Sequence, residues 1–181
     1  MQDNWGSNHG YEAMLDFQMS WLMRLAAEKS IDKPRLHEIS RDVLLRLIEK
    51  EGEQGVEIEQ VIVKRQWSKI DVIAEVDVLI NGNKEQHLVV IEDKAYTKLR
   101  KNQLIRYTDA VKDVYEGERE IHYWLITFFD KSNVDNYNAL ELESKRAHWG
   151  FLSFYDVIDW KDGFEPSESD LFNEFWLKEW Y

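Results

Sequence analysis

The sequence predicts an α/β fold, and three observations point to it. Two amphipathic helical segments come before any strand-type segment. A long alternating run, the pair Asn81–Gly82 and a second apolar run then read as a β-hairpin. A further helical segment leads into another apolar strand. With 181 residues, 44% hydrophobic and only two prolines, the chain reads as one domain over residues 1–181 with a sizeable core.

Each element has its own signal. Tyr11, Leu15, Met19, Leu22 and Ala26 recur at helical spacing between about His9 and Glu28, with Glu12 on the flank of the stripe. Pro34 suits the first turn of a second helix, which carries Leu36, Ile39, Val43 and Leu47 and ends before Gly52. "GVEIEQVIVKRQW" alternates and then shifts phase near Glu59–Gln60, the mark of a bulged strand. In "KIDVIAEVDVLI", Val72, Ala74, Val76, Val78 and Ile80 share one face, and Asp71, Glu75 and Asp77 share the other. "HLVVIEDK" is the return strand. A helix over about Leu99 to Tyr115 follows, then the strand "IHYWLITFF", a polar loop, the short strand "WGFLSFY" and a terminal helix whose capping box is expected at Ser167 and Asp170.

Composition narrows the chemistry. Without cysteine there is no disulfide, thiol catalysis or thiolate-bound metal, so an ion must sit on carboxylates, carbonyls or the five histidines. No apolar run approaches the roughly 20 residues of a membrane span, and the N-terminus lacks signal-peptide character, so a cytoplasmic protein is expected. The formal charge of −12 argues against a nonspecific nucleic-acid coat. Its distribution is uneven. Glu141 to Tyr181 carries a net −6, whereas Asp93 to Tyr107 carries +4 from Lys94, Lys98, Arg100, Lys101 and Arg106 against one acid.

That basic segment adjoins the most apolar strand, which ends in Glu92, Asp93 and Lys94. If Asn81 and Gly82 form a two-residue loop, Asp71 lies directly opposite Glu92 with β-carbons roughly 5 Å apart. Lys94 shares the face of Glu92, and Asp93 points the other way. Two close carboxylates are compensated by a cation, a shared proton or a neighbouring base, and hard oxygen pairs suit Mg²⁺. A metal so held polarises a phosphodiester oxygen and activates water, with a lysine to orient it. The same trio on a solvated face would be an ordinary cross-strand salt bridge worth little. Against that, "LVVI" marks a strand buried on both faces, where ionic groups are costly.

These residues resemble the PD-(D/E)XK nuclease superfamily, in particular its bacterial branch with ID, IExK and QLxxY motifs. Here they read Ile70–Asp71, Ile91–Glu92–Asp93–Lys94 and Gln103–Leu104–Ile105–Arg106–Tyr107. The order helix, three strands, helix, strand is similar to that family's restriction-endonuclease-like αβββαβ core, a mixed central sheet flanked by helices, here with an extra N-terminal helix pair and a C-terminal helix. The resemblance implies a Mg²⁺-dependent nuclease, with Mn²⁺ as substitute, hydrolysing phosphodiester bonds of nucleic acid, with DNA the expected substrate. Asp71 and Glu92 would be metal ligands and Lys94 the catalytic lysine, with Gln103 supporting catalysis. A first-helix glutamate would complete the metal set, with Glu12 in the place for it and Asp16, one turn away, as the alternative. Were the hairpin loop wider, Glu75 or Asp77 would replace Asp71. Nucleic acid would meet Lys98, Arg100, Lys101, Gln103, Arg106 and Tyr107. The alternative is a catalytically silent nuclease-like module that binds nucleic acid or a protein partner, a homodimer mate included, through its acidic C-terminal region.

Overall fold

The computed structural model describes residues 8–29, 32–95, 97–128, 134–158 and 165–177. Two helices, α1 (Asn8–Leu25) and α2 (Pro34–Leu47), precede the strands β1 (Val56–Trp67), β2 (Ile70–Ile80) and β3 (Asn83–Lys94). Then come α3 (Gln103–Tyr115), β4 (Glu120–Thr127), α4 (Val134–Ala147), β5 (Gly150–Ser153), α5 (Phe154–Val157) and α6 (Asp170–Trp176). The sheet has the order β1-β2-β3-β4-β5, antiparallel across the first three strands and parallel across β3–β4 and β4–β5. This is a mixed five-stranded sheet between helices, of the restriction-endonuclease-like type, with the expected N-terminal helix pair and C-terminal helix. Among the described residues no helix is long and apolar enough to cross a membrane.

The period-two alternation of the strands divides the core. Val72, Ala74, Val76 and Val78 of β2, with Val89 and Ile91 of β3, meet Leu15, Met19 and Leu22 of α1 and Val43 and Leu47 of α2. Ile73, Leu88 and Val90 pack on the other side with Leu104 and Val111 of α3 and Leu140 of α4. Burial on both faces explains why Leu88 to Ile91 read as an uninterrupted apolar run.

The hairpin register is the expected one. Asn81 and Gly82 both have positive φ, 51° and 83°, as a type I′ turn demands, and Ile80 pairs with Asn83. The ladder runs on to Val72 opposite Ile91, so Asp71 and Glu92 come next. The bulge of β1 falls where the phase shifts, between Ile58 and Gln60. The β1–β2 turn is less ordinary: Gln66, Ser68 and Lys69 all take left-handed backbone, at φ 53°, 50° and 72°, with no glycine to ease it.

Four expectations need correction. First, α3 starts at Gln103 rather than near Leu99, because Asn102 adopts φ 55°, which asparagine tolerates and a helix does not. Second, the segment read as a polar loop before β5 contains α4. Its apolar stripe is thin, with Leu140 and Ser144 buried and the ion pairs Lys145–Glu141 (2.9 Å) and Arg146–Glu143 (2.6 Å) on the exposed side. Third, the "WGFLSFY" strand stops at Ser153, whose backbone N–H donates to Asp156 Oδ2 at 3.0 Å and starts α5. Fourth, the cap of α6 is Ser169, which accepts from the Phe172 N–H at 3.3 Å, while Ser167 is bound to Asn173 instead. Parts of the acidic C-terminal segment, residues 159–164 and 178–181, lie outside the described residues.

Candidate active site

Five elements converge where β2 begins and β3 ends. A cleft of about 460 Å³ opens there, lined by Glu12 and Asp16 of α1, Gln66 and Lys69 at the β1–β2 turn, Asp71, Glu92 and Lys94, then Thr97, Lys98 and Arg100, and finally Gln103 and Tyr107 of α3. Alternation puts Asp71, Glu92 and Lys94 on the face that α3 covers and Asp93 on the face that α1 covers. Asp71 Oδ2 accepts from the Asp93 N–H at 3.0 Å, and its Oδ1 accepts from Gln66 Nε2 at 3.1 Å. Glu92 Oε1 accepts from Gln103 Nε2 at 2.5 Å and also from the Lys94 ammonium, which in turn donates to the Asp93 carbonyl at 2.8 Å.

The first turn of α3 is tied down around this group. Gln103 Oε1 accepts from the Arg100 N–H at 3.0 Å, which leaves its amide nitrogen to donate to Glu92 and, at 3.2 Å, to the Tyr107 hydroxyl. That hydroxyl donates to the Lys69 carbonyl at 2.8 Å and so anchors the strained turn that presents Asp71. Gln103 and Tyr107, one helical turn apart, thus connect the hairpin to the helix. On the opposite wall Glu12 Oε1 accepts from the Ala95 N–H at 3.1 Å and from Thr97 Oγ1 at 2.5 Å.

Several buried oxygens at this site find no hydrogen-bond donor among the described residues: Glu92 Oε2, Asp16 Oδ1 and both carboxylate oxygens of Asp93. One oxygen each of Asp16, Asp71 and Asp93 lies within 4.8 Å of the others. Such crowding disfavours the charged forms. Burial, with repulsion from Asp71, pushes Glu92 from its ordinary 4.5 up to about 9 despite the Lys94 ammonium. Burial beside Asp16 carries Asp93 well above the carboxylate range, and burial raises Asp16 too. Lys94 remains an ammonium: burial works against its charge, but Glu92, Asp71 and Glu12 outweigh it and hold its pKa above the ordinary value.

A carboxyl that binds its proton more tightly in the folded than in the unfolded chain contributes stability below its unfolded pKa, and loses it as pH rises through the folded one. For Glu92 that window runs from 4.5 to about 9. The metal-free protein is therefore expected to show a urea midpoint that falls steadily from about pH 5 to about pH 9, with a shallower fall in Glu92→Gln. A midpoint that climbs over this range would contradict the burial of these acids.

Of the residues singled out in the sequence, Asp71, Glu92, Lys94, Glu12, Lys98, Arg100, Gln103 and Tyr107 line the cleft. Two do not. Lys101 lines an adjoining hollow between residues 97–102 and α4, together with Arg146, and Arg106 is exposed on α3 and lines neither space. The wider-loop alternatives drop out. Glu75 pairs with Lys64 at 2.6 Å and Tyr115 at 3.0 Å, and Asp77 with Arg119 at 2.7 Å and Lys84 at 3.0 Å. The sequence reading missed Gln66 and Lys69 and gave Asp93 no role. Strand alternation puts Asp93 on the α1 side, but only the packing of α1 shows that Asp16 meets it there.

Among curated proteins and solved structures, none matches the chain. A family model described as the PD-(D/E)XK nuclease superfamily matches residues 6–173, a span that takes in the α1 acids, the hairpin and the α3 pair. Proteins of that superfamily are generally metal-dependent nucleases, and the acids and lysine of this cleft sit at the ends of the hairpin strands in the order its motif names. The chain belongs to the PD-(D/E)XK nuclease superfamily.

Proposed function

We propose that this chain hydrolyses phosphodiester bonds of DNA in the cleft, with Mg²⁺ held by Asp71 and Glu92 and by Glu12 or Asp16 of α1. The observation that supports this best is that the hard oxygen donors of Glu12, Asp16, Asp71 and Glu92 line one cleft with the Lys94 ammonium, with Glu92 Oε2 and Asp16 Oδ1 buried and without a hydrogen-bond partner among the described residues. All-oxygen sets of this kind suit Mg²⁺ or Mn²⁺. The bound ion would supply Lewis acidity toward a phosphate oxygen and lower the pKa of water. Its binding would also displace the proton that burial holds on Glu92.

The chain's own groups have distinct tasks in this reading. Gln103 fixes the Glu92 carboxylate in one orientation through Oε1 and leaves Oε2 available to the ion that would bind. Lys94 orients the attacking water and stabilises charge building on the phosphate. The Tyr107–Lys69 hydrogen bond holds the Asp71 turn against α3. Lys98 and Arg100, exposed on the rim, meet phosphates on either side of the scissile bond, and Lys101 extends that path toward α4.

The direct test is incubation with single- and double-stranded DNA and RNA in Mg²⁺, in Mn²⁺ and in EDTA. Cleavage of DNA that requires the metal is expected; binding with no cleavage in either metal would favour the silent-module reading. For the rim, replacing Lys98, Arg100 and Lys101 with alanine together is expected to weaken binding to all sequences alike. It should flatten the dependence of log K on log salt by about 2 to 3 units, since each phosphate contact contributes roughly 0.9. An unchanged slope would place the nucleic acid elsewhere.

A further inference from the structure

A second cluster of ligand-type side chains lies at the other end of the sheet. His87 of β3 and Glu120 of β4 are register partners, and His122 is two residues further along on the same face. His87 is fully buried and His122 is 5% exposed, whereas the Glu120 side chain is 59% exposed. His87 Nδ1 lies 3.1 Å from His122 Nε2 and 3.4 Å from Glu120 Oε2. One ligand atom from each of the three residues falls within 4.8 Å of the others. Around a tetrahedral ion with bonds of roughly 2.0–2.1 Å, neighbouring ligand atoms stand about 3.3 Å apart. The two spacings from His87 Nδ1, 3.1 and 3.4 Å, match that value.

The other nitrogen of His87 supplies an independent observation. Nε2 is buried, makes no hydrogen bond among the described residues, and has Glu85 Oε2 3.4 Å away. A neutral imidazole has one N–H. With that proton on Nε2, facing Glu85, the Nδ1 lone pair is open to the His122 N–H at 3.1 Å or to a cation, and of the two only a cation also suits the Glu120 carboxylate at 3.4 Å. Glu85, itself paired with Lys50 at 2.9 Å, then acts as the outer carboxylate that orients a ligating histidine.

We propose that His87 Nδ1, His122 Nε2 and Glu120 Oε2 form a second metal site, for an ion of the zinc class, that clamps β3 to the start of β4. The mixed nitrogen and oxygen set favours such an ion over Mg²⁺. Five residues of β3, roughly 17 Å, separate it from Glu92, so it is structural and independent of the nuclease cleft.

The test uses the full chain, stripped with chelator and titrated with CoCl₂, which stands in for zinc and absorbs strongly in the visible when four-coordinate. One equivalent of tetrahedral Co²⁺ is expected, displaced by ZnCl₂, indifferent to excess Mg²⁺ and retained in Asp71→Asn. His122→Asn should abolish the band. Glu120→Gln, at a mostly exposed side chain that leaves folding intact, should weaken binding about tenfold or more. A band that vanishes with Asp71→Asn, an affinity unaltered in Glu120→Gln, or no tetrahedral band at all would overturn the site.

Discussion

Asp71→Asn is expected to lower the DNA cleavage rate at least about a thousandfold, equivalent to roughly 4 kcal/mol of transition-state stabilisation, and to weaken Mg²⁺ binding in calorimetry. The substitution keeps the shape and the hydrogen bond from the Asp93 N–H, so the fold is retained. What it removes is one of the charges that face the cleft. Asp77→Asn is the matched control on the same strand and the same face. Asp77 is engaged with Arg119, Lys84 and Gln86, six residues or roughly 20 Å along β2, and its replacement should leave the cleavage rate near that of the parent. If instead Asp77→Asn is the inactive variant and Asp71→Asn cuts normally, the proposed metal position is wrong.

Lys94→Met is expected to cost about a hundredfold to a thousandfold in kcat with a much smaller change in KM, because the ammonium acts on charge that develops only in the transition state. Methionine retains the buried stem, so packing at this 7%-exposed position is largely kept. The loss of the Lys94–Glu92 contact is also tolerable for folding. Burial already pushes Glu92 up to about 9, so near neutral pH its carboxyl can stay protonated when the lysine is gone. The unfolding midpoint of the metal-free protein should therefore move little at pH 7. A variant that melts far earlier would show that the pair holds the fold together, and one with parental kcat would remove Lys94 from the chemistry.

Gln103 illustrates how motif and geometry divide the explanation. In the sequence it is one polar residue on an amphipathic helix, and only its resemblance to a QLxxY pattern singles it out. In the structure both ends of its amide are used, the oxygen by the Arg100 N–H and the nitrogen by Glu92 and Tyr107. The left-handed Asn102 makes this arrangement, since it ends the incoming loop and starts α3 with Gln103 as its first residue.

Local rules were enough wherever neighbours in sequence carry the interaction. Period-two alternation sorted Asp71, Glu92 and Lys94 onto one face and Asp93 onto the other, and the positive-φ demand of a type I′ turn set the register at Asn81–Gly82. The phase shift at Glu59 marked the bulge for the same reason. Long-range packing decided the rest. α4 has too thin an apolar stripe to announce itself, and becomes a helix because Leu140 finds the α3 side of the sheet. Two Ser-x-x-Asp patterns look alike, yet only Ser153–Asp156 caps its helix, because Ser167 is taken by Asn173. The meeting of Asp16 with Asp93, and of His87 with His122, joins residues 77 and 35 positions apart, and burial, which shifts their proton affinities, exists only once the helices and strands have closed over them.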